Sequence, residues 1–147
     1  MSTRPIALDP QDYADALSVI GLKITVLSSR EQTDSHEVTL QEGVEGAGPP
    51  PHAHGWCESF YVLRGILEAT VDGQPVHGTA GTFIHVPANT VHAFHFGPGG
   101  GAMLEIAGAG GSATRLFQRL DQEMDHEQPD FVKAAQILED CGARLVG

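Results

Sequence analysis

Residues 21–27 alternate apolar and polar side chains, the period of a half-buried strand, and residues 35–42 repeat the pattern. Residues 43–51 break it with glycines and prolines and predict a loop. Alternation resumes over 57–63, with Gly65 as a turn and 66–71 as the next strand. Asp72-Gly73, set between apolar runs, predicts a tight hairpin. Residues 82–86, 90–96 and 102–107 complete a series of short strands parted by Gly-rich turns. That rhythm predicts an all-β sandwich or barrel. The first twenty residues carry no clear period.

The period changes after the glycines at 108–111. Leu116, Phe117, Leu120 and Met124 fall at helical spacing behind Ser112, a candidate N-cap. Pro129-Asp130 opens a second helix carrying Phe131, Ala134, Ala135 and Leu138, with Gly142 as its stop. Amphipathic helices bury their apolar face within the molecule, so both are expected to pack on the outside of the barrel. The predicted organisation is a single domain: residues 1–111 form the barrel with its N-terminal strands, and 112–147 form helices laid on it.

A chain of 147 residues is long enough to bury a core without staples. The net charge of -11 argues against nucleic acid or an anionic membrane as partner. No run of 18 apolar residues is present, and the opening Met-Ser-Thr-Arg-Pro lacks the apolar stretch of a leader. The two cysteines, Cys57 and Cys141, lie far apart and make no disulfide framework. The expectation is a soluble, cytoplasmic protein that acts on a small molecule.

The chemistry is concentrated at His52-Ala53-His54, Glu58 and His92. In an extended chain His52, His54, Trp56, Glu58 and Phe60 share one face. Two imidazoles and a carboxylate, joined by the imidazole of His92, suit one divalent ion: Fe, Mn, Ni, Cu or Zn. Four protein ligands leave an octahedral ion open positions, as a catalytic site requires. Trp56 and Phe60 lie on the ligand face, and Phe94 and Phe96 share a face with His92, which makes these four rings candidates for the wall of a substrate pocket. His95 alternates with them and points away. His36, His77 and His126 sit in polar surroundings, and the Pro87 turn leaves His85 unplaced.

The spacing carries a family resemblance. Five residues separate Gly46 from His52, three separate His54 from Glu58, and six separate Glu58 from Gly65. Downstream, five residues separate Gly81 from Pro87-Ala88-Asn89, two precede His92, and three more lead to Phe96. The two segments resemble the paired motifs of the cupin superfamily, in particular its small single-domain members grouped with quercetin dioxygenases. Asn89 stands where the family usually has Gly, a position that needs a residue tolerant of left-handed backbone. Phe96 stands where the family often has Asn.

The resemblance implies a cupin (double-stranded β-helix, jelly-roll) barrel, here with a short C-terminal α-helical extension. It implies one metal on His52, His54, Glu58 and His92, and a dioxygenase acting on a small enolic, phenolic or diketone substrate, with Glu58 as ligand and proton acceptor. A redox-neutral metal-dependent lyase, isomerase or cyclase, and a non-catalytic binding cupin, remain open beside it. Arg64 is the only basic residue between Gly43 and Ala107, which disfavours the sugar-phosphate isomerases of the family. Cupins commonly dimerise through an outer sheet face; here the outward apolar positions Tyr61 and Leu63 make a homodimer the expected assembly.

Overall fold

A computed structural model describes residues 3–147. Nine strands follow in order: β1 Leu17–Val19, β2 Leu22–Ser28, β3 Glu37–Gly43, β4 His52–His54, β5 Glu58–Val71, β6 Gln74–Gly78, β7 Phe83–Val86, β8 His92–Ala107 and β9 Ala143–Leu145. Three helices join them: α1 Arg30–Thr33, α2 Ala113–Glu123 and α3 Phe131–Asp140. The all-β barrel with C-terminal helices is therefore present as the pattern predicts.

Two of the expected strand breaks are absent. β5 runs unbroken through Gly65, and β8 through residues 97–101. Gly65 is not a turn but an irregularity in the ladder, where it pairs with Gly101. Its φ is +74°, and a Cβ there would fall 2.1 Å from the Gly100 carbonyl oxygen. Only a residue without a side chain permits two backbones to approach this closely while both bend.

That shared bend converts one ladder into two facing walls. Below it, the first half of β5 (from Glu58) pairs with the last half of β8, flanked by β3 and β7. Above it, the remainder of β5 pairs with the start of β8, flanked by β6 and β4. The core between the walls holds Ile24, Phe60, Val62, Leu67, Val86, Phe96 and Met103, all 1% exposed or less. Burying each such side chain is worth about 1.5–3 kcal/mol. The β5–β6 hairpin closes through Asp72 and Gly73, with φ of 51° and 77°, the two left-handed residues a type I′ turn demands.

The stretch from His52 to Phe60 is not a single strand. It breaks at residues 55–57, and β4 and β5 join different walls. Inward alternation nonetheless survives: His54, Trp56, Glu58 and Phe60 are all buried.

Both predicted helices form, but they pack against β1 and β9 and against each other. α3 starts as expected, with the Asp130 side chain accepting from the backbone N–H groups of Val132 and Lys133 at 3.0 and 3.1 Å. Ser112 provides no side-chain cap for α2. The capping acceptor comes instead from β3: Glu37 Oε2 takes hydrogen bonds from Thr114 N and Oγ1, both 2.6 Å. This carboxylate caps the helix start and at the same time pins it to the barrel.

Candidate metal centre and its cavity

The four metal-ligand candidates come from both walls. His52 and His54 lie on β4 and His92 opens β8, with His52 and His92 as direct register partners. Glu58 opens β5 on the opposite wall. One donor atom from each of the four lies within 4.8 Å of the others. His54, Glu58 and His92 are buried, and His52 is half-buried.

Each imidazole is held by its inner nitrogen. His52 Nδ1 donates to the Pro50 carbonyl, His54 Nδ1 to Trp56 and His92 Nδ1 to Thr90, each at 2.8 Å. With Nδ1 committed to a carbonyl, Nε2 is the nitrogen each ring has left for a ligand. Such carbonyl partners fix tautomer and ring orientation in metal sites. The three prolines before His52 stiffen the segment that supplies the first of them. Asn89 adopts φ 63°, as its position in the motif requires, and its N–H donates to His54 O at 2.8 Å. The donor set and the aim of its atoms fit one borderline divalent ion.

The Glu58 carboxylate also lies within hydrogen-bond reach of two of the imidazoles. Glu58 Oε1 lies 2.5 Å from His92 Nε2 and 3.2 Å from His54 Nε2. Burial alone would raise its pKa, but hydrogen bonds from His54 and His92 outweigh it and bring the carboxyl down to about 2. Burial likewise opposes the charge on His92, yet the bond to Glu58 leaves its pKa raised. His52 is depressed to about 4 by burial and by the neighbouring His92, so it is neutral and ready to ligate.

A raised histidine pKa means that the His92–Glu58 contact stabilises the ion-free fold below the ordinary histidine value of 6.5 and weakens as pH rises through the raised one. Metal and proton therefore compete for His92 Nε2. At pH 6.5, where a raised pKa leaves His92 mostly protonated, binding of zinc is expected to release protons, and the release should decline at higher pH. Calorimetry in buffers of different ionisation enthalpy measures this directly; a release of zero at pH 6.5 would contradict the assignment of His92.

A cavity of about 580 Å³ opens on the centre. His52, His54 and Glu58 line it, together with Trp56, Phe94, Ile24 and the helix residues Leu116, Leu120 and Leu138. The apolar faces of α2 and α3 thus complete the cavity wall rather than simply covering the outer sheet. Trp56 stacks on His54, with ring centroids 4.1 Å apart and planes inclined by 8°. Phe60 and Phe96 are not among the lining residues. They stand behind Phe94 in the core, joined to it edge-to-face at 5.4 and 6.2 Å.

The remaining histidines are exposed, His95 among them, and His85 bonds Ser59 Oγ at 2.9 Å. Arg64 lies outside the cavity, 3.5 Å from Glu42; Lys23 on β2 and His126 border it. Cys57 is half-buried, not buried as a small hydrophobe would be, and Cys141 is buried; both are free thiols. Sequence reasoning missed Gln41 and Glu105, which are buried and line the cavity. Their signal is present but faint: each is an inward position of a strand, occupied by a polar residue.

Residues 34–104 match a protein family described as "Cupin domain". A curated relative, quercetin 2,3-dioxygenase of Bacillus subtilis (strain 168), is 35% identical over 71 residues, which are 47% of this chain and 21% of the relative. The match thus spans about a fifth of that enzyme's length. Among solved structures, an RmlC-like cupin from Shewanella frigidimarina NCIMB 400 superposes with a TM-score of 0.67 at 22% identity, over 78% of this chain and 99% of that one. The polyketide cyclase RemF from Streptomyces resistomycificus gives 0.63 at 23% identity, over 71% and 80%. At these identities the two structures establish likeness of fold.

Proposed function

We propose that this chain, whose residues 34–104 match the cupin family across both motif segments, is a small cupin that binds one divalent ion through His52, His54, Glu58 and His92 and acts as a dioxygenase-type oxidoreductase on a small enolic, phenolic or diketone substrate. The observation that carries this reading is the clustering of three imidazoles and one carboxylate, of which His52, His54 and Glu58 line a largely apolar cavity. A substrate bearing phosphate would want a guanidinium fork there, and no arginine lines the cavity among the described residues. An apolar molecule that ligates through an enolate or phenolate oxygen suits it better.

An ion held there supplies Lewis acidity and, for a redox metal, one-electron chemistry. The residues do the rest. Trp56 braces His54 and gives the substrate a flat wall, and Phe94 continues that wall toward the core. Glu58 Oε1 is the atom placed to take a proton from a bound hydroxyl. In this reading residues 112–147 belong to the same domain as the barrel of 1–111, since they complete the compartment.

The test is substrate-dependent oxygen uptake by protein loaded separately with Fe, Mn, Ni, Cu and Zn, assayed on a flavonol and a β-diketone. Uptake with a redox-active metal and none with zinc is expected. Turnover indifferent to oxygen would replace this reading with a redox-neutral lyase, isomerase or cyclase. Tight binding without turnover would leave a binding protein.

A homodimer is part of the proposal. Tyr61 and Leu63 are each 42% exposed and Phe83, the register partner of Tyr61, is 61% exposed on the outer face of β5 and β7. The C-terminal helices lie elsewhere and do not cover this patch. Light scattering is expected to show a dimer at micromolar concentration, and the double change Tyr61→Glu, Phe83→Glu to convert it to monomer. A parent protein that scatters as a monomer removes the dimer. No helix among the described residues is long and apolar enough to cross a membrane.

A further inference from the structure

Glu105 and Gln41 lie outside the ligand cluster, yet both line the cavity. Glu105 is 5% exposed and Gln41 1%. A carboxyl buried this deeply is costly unless it is paired or neutral. No cation pairs with Glu105 among the described residues. Its partner is an amide: Gln41 Nε2 donates to Glu105 Oε2 at 2.8 Å. The same nitrogen donates to Thr39 Oγ1 at 3.2 Å, so both amide hydrogens of Gln41 are committed.

Glu105 Oε1 is left over. Trp56 Nε1 alone, among the described residues, is a side-chain polar atom sealed from solvent with no hydrogen-bond partner. Glu105 Oε1 takes no hydrogen bond among the described residues and is not sealed in this way, so it keeps accessible surface, which the cavity lined by Glu105 supplies. Its position relative to the metal centre follows from register. Glu58 faces Ala107 and Phe60 faces Glu105, so Glu105 is the diagonal neighbour of Glu58 on the inward face. Diagonal neighbours stand about 7–8 Å apart, within the length of a bicyclic ring system.

We propose that Glu105, oriented by Gln41, is the second recognition group of the cavity: as a neutral carboxylic acid it donates a hydrogen bond from Oε1 to an acceptor oxygen of the bound molecule. Gln41 already occupies Oε2, which leaves Oε1 to carry the proton. Burial raises the pKa of Glu105 well above the usual carboxylate range, the charges of Glu58 and Glu37 add to this, and the Gln41 bond opposes it. An ion on Glu58 would offset the second cause and leave the first.

The substrate class follows. It is an uncharged, largely apolar molecule with two oxygen functions, one for the metal centre and one acceptor for Glu105. A carboxylate or phosphate at that second position would meet a carboxyl group with no cation beside it. This inference rests on the cavity being the substrate compartment and adds to it what the inner end selects.

The probes are 2-acetylnaphthalene and 2-ethylnaphthalene, which differ by one carbonyl oxygen. Binding is read from quenching of Trp56, the single tryptophan, in the protein as purified and after zinc loading. The parent protein is expected to prefer the ketone. Glu105→Leu should reduce the ketone-to-hydrocarbon preference about tenfold, whereas Glu105→Gln, which keeps a neutral donor, should hold it within about twofold. Glu105→Met takes the place of the Leu variant if that protein does not fold. An unchanged preference in the apolar variant, an equal loss in Glu105→Gln, or failure of the parent to bind either probe overturns the proposal. Metal content and oxygen uptake, measured on the same samples, report on the oxidoreductase reading, because a ratio between two ligands in one protein does not depend on turnover.

Discussion

Purified His92→Ala protein is expected to retain almost none of the metal that the parent carries, with affinity lower by ~100-fold or more, since loss of a group that only hydrogen-bonds a ligand already costs about 10–100-fold. His92 is the only ligand candidate contributed by β8, and its Nε2 and the Glu58 carboxylate define the centre between the two walls. Alanine removes the donor and leaves the Thr90 carbonyl without its imidazole partner. His54→Ala should act similarly and also strip Trp56 of the ring it stacks on. His77→Ala is the control, because His77 is exposed and bonds Glu68 far from the cluster. Elemental analysis per folded chain decides the matter, with circular dichroism to verify folding. Parental metal content in either ligand variant would show that the ion, if any, is held elsewhere.

Turnover by Glu58→Gln is expected to fall by about 100-fold or more while much of the metal stays bound. Three imidazoles and an amide oxygen still make a usable donor set, but an amide cannot accept the substrate proton, and general-base catalysis is worth about 10²–10⁴-fold. A carboxylate on a metal is too acidic to act as base unless it leaves the ion when substrate arrives. Glu58 is the one ligand candidate on the wall that carries β7, and the three imidazoles stand on the other. The assay uses the flavonol or diketone that the parent consumes, with rates normalised to bound metal. Parental turnover per bound ion by the Glu58→Gln protein would remove Glu58 from the proton chemistry.

Much of this molecule can be read from local pattern. Asp72-Gly73 announces its hairpin because two consecutive left-handed residues are needed and few residue types supply them. His52, His54, Glu58 and His92 are legible because a period of two turns spacing into facing, and that facing survives even where the chain breaks at residues 55–57. The apolar stripes of the C-terminal helices are legible for the same reason at a period of 3.6.

Tertiary structure alone decided the rest. Gly65 reads as a turn in isolation, and becomes part of one continuous strand only because Gly101 meets it across the ladder and both backbones bend together. β9 is three residues long and exists because β4 offers it an edge. The cap of α2 lies 77 residues away in sequence, on Glu37, so Ser112 looked sufficient when local signals were all there was. Phe60 and Phe96 share the inward face with the ligands, yet only depth in the barrel separates core from cavity wall. Glu105 and Gln41 are ordinary polar residues along the chain and become a paired donor and acceptor once β3 and β8 lie side by side. Local periodicity records which way a side chain points; what it meets there is set by strands distant in sequence, whose contacts leave no regular trace along the chain.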